Sequence, residues 1–153
     1  TKLIEHYKKS AAADLRQDIT NGLSWTRDHD RLQLLLSYLM DESVVRPQDT
    51  VRWFAAIIRS RYGRELAWRW LQGNWTWVDK TFKGDKSYDY FPRLSANALR
   101  TQEQLEEYKA FFAPLQSNPA LTRVITMGIS EIEGRIALLE RDRDAVREAL
   151  AQY

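Results

Sequence analysis

Four of the six tryptophans in this chain lie within one short segment, between Trp68 and Trp77. The apolar residues of the segment recur with helical spacing, which predicts one helix over about residues 64–82. Such large rings need an extensive packing surface. The chain has no cysteine, so no disulfide can hold this segment in place. The segment therefore predicts a helix packed closely between other helices. Its predicted inward stripe consists of Leu66, Trp70, Trp77, Val78 and Phe82.

Length and composition indicate a single globular domain. The chain has 153 residues, of which 44% are hydrophobic and 12% aromatic, enough to bury a core. Its 23 basic residues nearly balance its 21 acidic ones and leave a net charge of +2. This balance gives no overall basic field, so we expect no nucleic-acid partner and no attraction to an anionic membrane surface.

The cysteine count and the apolar runs limit the compartment and the chemistry. Without cysteine the chain has no disulfide, no thiolate zinc site and no cysteine nucleophile. It also has no signal segment and no apolar run of about 18 residues that would cross a membrane. These features favour the cytoplasm. Because the chain begins at Thr1 without an initiator methionine, we expect a domain excised from a longer protein.

Helical spacing recurs along the chain, and strand signals are scarce. Thr101 and Gln104 form a predicted capping box, and Pro47 is suited to the first turn of a helix. The pattern predicts about eight short helices joined by short loops. In order, they cover residues 1–8, a segment around Leu15–Trp25, Leu32–Met40, Pro47–Ile58, 64–82, a segment around Leu94, one that opens at Thr101, and a long one from Asn118-Pro119 to Leu139, with a last turn near Val146 and Leu150.

An all-α chain with this pattern satisfies two architectures, a compact bundle or a stack of antiparallel helix pairs. We favour the stack, a superhelix of the HEAT or armadillo kind, although the sequence shows no repeat of fixed period. Trp68 and Trp75 lie seven residues apart, so both should fill one seam between helices rather than stack on sugars or bases. Gly73 is expected where a neighbouring backbone or ring approaches closely.

The tryptophan segment also carries a family resemblance. Gly63-x-x-Leu66-Ala67-Trp68-x-Trp70-Leu71-x-x-Asn74-Trp75 resembles the G-x-x-x-A-W-x-F-x-x-x-N-W signature in the helical C-terminal domain of the aminopeptidase N family, with Trp70 where phenylalanine is common. These enzymes are zinc metallopeptidases and include the endoplasmic reticulum aminopeptidases. Three further segments resemble the family in the same order, namely Val45-Arg46-Pro47-Gln48-Asp49, Thr101-x-x-Gln104-Leu105-x-x-x-x-x-Phe111-Phe112 and Ile132-x-x-Arg135-Ile136-x-x-Leu139-Glu140-Arg141.

The resemblance covers about residues 10–150 and implies a superhelical domain that packs over a catalytic domain, closes the active-site chamber and lines its inner wall. The implied partners are the catalytic domain of the same parent chain and a peptide substrate. The family binds zinc through H-E-x-x-H and a downstream glutamate, and neither this motif nor G-x-M-E-N occurs here. We therefore expect no catalytic residue and no metal in this chain, with the zinc in a catalytic domain outside it.

The sequence gives little support to other kinds of catalytic site. His6 and His29 lie 23 residues apart, which does not match a helical pair of zinc ligands. The sequence Asp28-His29-Asp30 is interpreted as a polar turn with a capping aspartate. No serine-nucleophile elbow or phosphate-binding glycine loop is present. Paired carboxylates for glycoside chemistry are not singled out by any spacing.

The segment between Lys80 and Arg100 is the predicted surface site. Its basic and aromatic side chains are suited to holding a peptide carboxylate or an acidic side chain through charge-assisted hydrogen bonds. The alternative is an ordinary solvated loop, since Asp79, Asp85 and Asp89 lower its net charge. The candidate peptide-facing residues are Lys83, Lys86, Tyr88, Tyr90, Arg93 and Arg100.

Three functions remain open at this point. The favoured one is a non-catalytic C-terminal domain that shapes peptide access in a zinc aminopeptidase, as the resemblance implies. The second is a free-standing helical-repeat adaptor that binds a partner protein in its groove. The third is an independent hydrolase that uses unmarked carboxylates.

Overall fold

A computed structural model describes residues 2–152 of the chain. Within that range the structure is all-helical, with nine α-helices, two short 3-10 turns and no strand. The predicted fold class is therefore confirmed, while the stacking of its helix pairs into a superhelix stays a prediction. The helices are α1 (Lys2–Lys9), α2 (Ala13–Ser24), α3 (His29–Ser37), α4 (Pro47–Arg59), α5 (Arg64–Gly73), α6 (Trp75–Phe82), α7 (Tyr90–Ala98), α8 (Gln102–Phe112) and α9 (Thr122–Leu150).

Helix α4 is the central element of the first two thirds of the chain. It packs against α2, α5 and α7, and α7 in turn packs along α9. Pro47 stands at its first turn, where a missing backbone N–H costs nothing because that group has no partner inside the helix. Its buried apolar side chains recur at helical spacing and form the middle of the core, and they are Trp53, Phe54, Ile57 and Ile58.

The tryptophan segment forms two helices, and the prediction of a single helix over 64–82 was wrong. The chain breaks at Asn74, between α5 and α6. The Asn74 side-chain amide donates to the carbonyl of Trp70 at 2.8 Å, and so does its backbone N–H at 3.0 Å. Asparagine side chains compete in this way for backbone groups and so favour helix ends. The extra break explains why nine helices are seen among residues 2–152 where about eight were predicted.

The tryptophans on the two sides of this break meet the same pair of phenylalanines. Trp68 of α5 lies 5.6 Å from Phe111 and 6.1 Å from Phe112, measured between ring centroids. Trp75 of α6 lies 5.8 Å and 5.5 Å from the same two rings of α8. The prediction that Trp68 and Trp75 fill one seam is confirmed. We call this set of four rings the aromatic seam.

The other tryptophans divide between core and surface. Trp53 is buried, and Trp70 and Trp77 are half-buried with their ring centroids 6.2 Å apart. Trp25, the end of the second predicted helix, follows the last residue of α2 and is 83% exposed. Five of the six tryptophans thus contribute to packing, and the sixth lies at the surface.

Helix α9 begins later than predicted and continues without a break to Leu150. It begins at Thr122 rather than at Asn118-Pro119, because the Asn118 side chain accepts from the backbone N–H of Ala120 and closes a separate turn. The helix continues through the charged residues 141–144, which are a solvated part of it. Beyond Ile136 its residues are almost all exposed. The second half of α9 therefore extends past the core.

Two glycines near the tryptophan segment have opposite environments. A Cβ on Gly63 would lie 2.6 Å from the carbonyl oxygen of Ile57, so the backbone of α4 leaves no room for a side chain there. Gly73 was expected at such a close approach, which is wrong because a Cβ there would meet no atom within 4 Å. Gly73 is the exposed last residue of α5, where the helix ends in any case.

This contrast predicts opposite effects of alanine at the two positions. Gly63→Ala should lower the free energy of unfolding by about 1–3 kcal/mol, because backbone atoms must shift to admit the methyl group. Gly73→Ala is the matched control and should leave stability unchanged or raise it by up to about 1 kcal/mol. Urea unfolding followed by circular dichroism measures both. Equal stabilities of the two variants would contradict the close approach of α4 to Gly63.

Candidate functional site

A groove of about 930 Å³ lies on the surface of the protein. Side chains of α2, α4 and α7 form its walls, and the segment that follows α4 closes one end. We call it the arginine-rich groove. The arginine and aromatic side chains of its lining are Trp25, Arg52, Arg59, Arg61, Tyr62, Tyr90 and Arg93.

The charge of the groove is one-sided. Four arginines line it, and no aspartate or glutamate does. Arg52 and Arg93 each have an acidic neighbour outside the lining, Asp49 at 3.8 Å and Asp89 at 2.8 Å. Arg59 and Arg61 form no ion pair with any residue of the range 2–152. The groove therefore presents guanidinium groups that are free to bind a carboxylate.

Aromatic side chains lie beside these arginines. Trp25, Tyr62 and Tyr90 all line the groove and are exposed. The Arg93 guanidinium lies 5.4 Å from the centroid of the Tyr90 ring, a cation–π contact. Rigid rings next to guanidinium groups offer both apolar contact and hydrogen bonding. This combination suits an extended polypeptide, which presents both kinds of group.

Asp49, the ion-pair partner of the groove residue Arg52, joins three helices. Its carboxylate accepts from the Tyr7 hydroxyl of α1 at 3.3 Å and from the Arg16 guanidinium of α2 at 3.0 Å, while Asp49 itself stands in the first turn of α4. Burial raises the pKa of Tyr7, and the Asp49 charge acts in the same direction. Asp49 is 8% exposed, so this network is largely shielded from water. It fixes α2 against α4 and so holds two walls of the groove.

The structure separates the six residues that the sequence proposed as peptide-facing. Tyr90 and Arg93 lie together in the arginine-rich groove. Lys83 and Lys86 are exposed on the loop between α6 and α7, outside the groove lining. Arg100 is exposed just after α7, also outside the lining.

Tyr88 is a core residue. It is 2% exposed, its ring centroid lies 5.8 Å from that of Trp75, and its hydroxyl donates to Asp79. Burial, together with that carboxylate, raises the pKa of Tyr88 well above its ordinary value. The ring and the hydroxyl of Tyr88 are thus committed to internal contacts.

Sequence reasoning missed the α4 side of the groove. Arg52 and Arg59 are seven residues apart and therefore share one face of α4, with the small side chains of Ala55 and Ala56 between them. The sequence did carry one signal for this side of the groove, a face of α4 on which two arginines flank small residues. It identifies a face of α4, but it does not show that α2 and α7 stand on either side of it.

The Asp28-His29-Asp30 stretch begins α3 and carries its N-terminal cap. The Asp28 side chain accepts from the backbone N–H groups of Asp30 and Arg31 and caps α3, which confirms the interpretation of that stretch as a capped turn. Within residues 2–152, no group of three or more His, Cys, Asp or Glu side chains could hold a metal ion. None of the described helices is long and apolar enough to span a membrane.

Comparison with known proteins gives consistent matches over almost the whole chain. Residues 1–134 match the family described as the ERAP1-like C-terminal domain. The chain is 36% identical to aminopeptidase N of Lactococcus lactis subsp. lactis and 33% identical to aminopeptidase N of Lactobacillus helveticus, over 99% of this chain and 18% of each relative. It is 27% identical to endoplasmic reticulum aminopeptidase 1 of Rattus norvegicus, over 95% of this chain and 16% of that protein. The chain thus spans less than a fifth of the length of these relatives.

The Asp49 network leads to a prediction about two aspartates. Asp49→Asn should lower the free energy of unfolding by about 2–4 kcal/mol, because it leaves the Arg16 guanidinium without its buried carboxylate. Asp28→Asn is the control, since asparagine caps a helix as well as aspartate does, and its effect should stay within about 0.5 kcal/mol. Denaturant unfolding at neutral pH compares the two. A small effect of both substitutions would show that Asp49 does not hold the helices together.

Proposed function

The chain belongs to the family of ERAP1-like C-terminal domains, and on this basis we propose its role in a longer enzyme. We propose that it closes over the active-site chamber of a zinc aminopeptidase and shapes the access of peptides. The parent enzyme would remove N-terminal residues from those peptides. This domain would contact the peptide away from its N-terminus and would take no part in the chemical step.

The length of the relatives supports this role over that of a free-standing adaptor. Proteins about five times longer than the matched segment contain it, and their names describe aminopeptidases. Within such a protein the segment is one domain among others. If the segment is one domain of a longer enzyme, the catalytic motifs of the family can lie in another domain, and this chain carries none of them.

The observation that carries the proposal is the arginine-rich groove. When a peptide enters an aminopeptidase with its amino end first, its C-terminal carboxylate and any acidic side chains lie away from the site of cleavage. Arg59 and Arg61 have no carboxylate partner within the described residues, and Arg93 lies beside an exposed aromatic ring. Charge-assisted hydrogen bonds from such guanidinium groups, with ring contacts nearby, would hold the trailing part of a peptide.

The zinc that the family implies does not fit this chain. His6 lies on α1 and His29 at the start of α3, and neither belongs to a group of ligands within the described residues. We therefore assign the metal, and the polarisation of the peptide carbonyl that zinc supplies, to a catalytic domain outside the chain. No step of the reaction is assigned to residues of this domain.

This assignment predicts the behaviour of the isolated chain. The 153-residue protein should not hydrolyse an aminoacyl arylamide and should retain no stoichiometric zinc after dialysis, because it lacks the ligand set. Fluorogenic activity assays and elemental analysis test both points. Hydrolysis that purifies with the chain and is lost on chelation would overturn the proposal.

A second prediction concerns the groove within the longer enzyme. Arg59→Gln should raise KM for peptides of eight to ten residues about threefold to tenfold, because an exposed charge-assisted contact contributes roughly 0.7–1.4 kcal/mol. The kcat and KM for an aminoacyl arylamide should not change, since that substrate is too short to reach the groove. Steady-state kinetics with both substrates make the comparison.

Lys83→Gln serves as the matched control for this experiment. It removes an exposed positive charge from the loop outside the groove, a position that the sequence alone had favoured. We expect it to leave KM for peptides unchanged. If Lys83→Gln and Arg59→Gln have equal effects, the groove has no special role. If Arg59→Gln changes the kinetics with the arylamide as much as those with the peptide, the groove does not bind the distant part of long peptides.

A further inference from the structure

A second depression lies between α7 and α9. Its volume is about 540 Å³, within the range of about 300–1,000 Å³ that is usual for sites of small molecules. Of the residues that line the arginine-rich groove, only Arg93 also lines this depression. The two sites are therefore adjacent but formed by largely different residues. We call the second one the interhelix pocket.

Small residues bring α7 and α9 close together at the floor of the interhelix pocket. A Cβ on Gly128 would lie 2.9 Å from the Cβ of Ala96 and 2.5 Å from the hydroxyl of Tyr108. That hydroxyl is held in place, since it donates to the carbonyl of Pro92 at 3.1 Å. The contact therefore has room for glycine alone, and the longer side chains of both helices stand above it.

Those longer side chains form two rims. On α9, Arg123, Met127 and Glu131 recur at every fourth residue and so form one ridge. On the opposite side, Asp89 and Arg93 form an ion pair with 2.8 Å between their charged atoms. Because these two charges offset each other, the free charges of the pocket lie on the α9 rim.

The surface between the rims is apolar. Val124 and Ala96 are buried beneath it, and Pro119 and Ala120, just before α9, also line it. Met127 is 50% exposed, so its thioether is accessible from the pocket. A methionine side chain is flexible and polarizable and adapts to ligands of different shape. The pocket can thus bind an apolar group of modest size.

The two charges of the α9 rim are opposite and separated. Arg123 and Glu131 are both exposed, and neither forms an ion pair in the part of the chain that the structure describes. Eight residues of helix place their backbones about 12 Å apart along the axis. The pocket therefore has a guanidinium toward one end, a carboxylate toward the other and an apolar surface between them.

We propose that the interhelix pocket binds a small zwitterion with an apolar body. Its carboxylate would accept from the Arg123 guanidinium, its ammonium group would donate to Glu131, and its apolar part would contact Met127. A free apolar amino acid and an apolar dipeptide both have these features. An extended dipeptide spans about 7 Å, which fits between the two charged side chains. The proposal does not depend on the proposed function, although the amino acids that an aminopeptidase releases are molecules of this class.

The test is a titration of the ¹⁵N-labelled 153-residue chain followed by ¹H–¹⁵N chemical shifts. The probes are leucine and leucyl-leucine at about pH 6.5, where both ends of each molecule are charged. We expect saturable shifts of amide signals from α7 and the first half of α9, with a Kd of about 0.1–10 mM. Glycine lacks the apolar body and should bind about tenfold more weakly than leucine. Tighter binding of leucine identifies a site for free amino acids, and tighter binding of leucyl-leucine identifies a site for short peptides.

Two substitutions, each with a matched probe, assign the charges. Glu131→Gln should weaken the binding of leucine about threefold to tenfold and leave N-acetylleucine, which has only the carboxylate, unchanged. Arg123→Gln should weaken N-acetylleucine by a similar factor and leave leucine amide, which has only the ammonium group, unchanged. Glu140→Gln and Arg143→Gln are the controls, since they remove exposed charges of α9 outside the pocket and should not alter any affinity.

Four results would overturn the proposal. The first is the absence of saturable shifts with leucine and leucyl-leucine up to about 50 mM. The second is equal affinity for glycine and leucine, and the third is an equal affinity for leucine in Arg123→Gln and Arg143→Gln. The fourth is loss of leucine binding in Arg59→Gln but not in Arg123→Gln, which would place the ligand in the arginine-rich groove instead. Only that last result bears on the groove, so the pocket can fail while the proposed function stands.

Discussion

Much of this structure depends on the contact between the tryptophans of α5 and α6 and the phenylalanines of α8. Trp68 and Phe112 are both almost fully buried, and burial of each such side chain contributes about 2–3 kcal/mol. The Trp68 indole N–H also donates to Glu107 at 2.9 Å, so its one polar group is satisfied. Because residues about forty positions apart meet here, the aromatic seam joins the early helices to α8. Through the packing of α8 on α9, it also sets the position of the last helix.

Structural features that arise from residues close in sequence were predictable. Features that depend on contacts between helices were not. The capping box of Thr101 and Gln104 forms as expected, because each partner lies within one turn of the other. The break at Asn74 was missed because the regular spacing of the rings continues across it, while the competing bond of one amide side chain leaves no periodic trace. The environment of Gly63 depends on the carbonyl of Ile57 in another helix. Contacts of that kind cannot be seen in one helical pattern.

The same limit explains what could be predicted of the site. Tyr90 and Arg93 were identified because basic and aromatic residues alternate near them, and they lie in the arginine-rich groove. Arg59 was not identified, since its importance comes from α2 and α7 on either side of α4. Tyr88 resembled its neighbours in sequence yet turns inward to Asp79. Helical phase gives the face of each helix, and only the packing decides which faces meet around a groove.

The long helix α9 has a consequence for cooperativity. Its first half is built into the core as far as Ile132 and Ile136, whereas residues 137–150 extend about 21 Å with little burial. A free peptide of that length is only marginally helical in water, since starting a helix is the costly step. Here the core has already formed the first turns, so the outer half only needs to propagate them. The folded domain thus acts as the nucleus for its own protruding helix, and that helix melts inward from its outer end before the core unfolds.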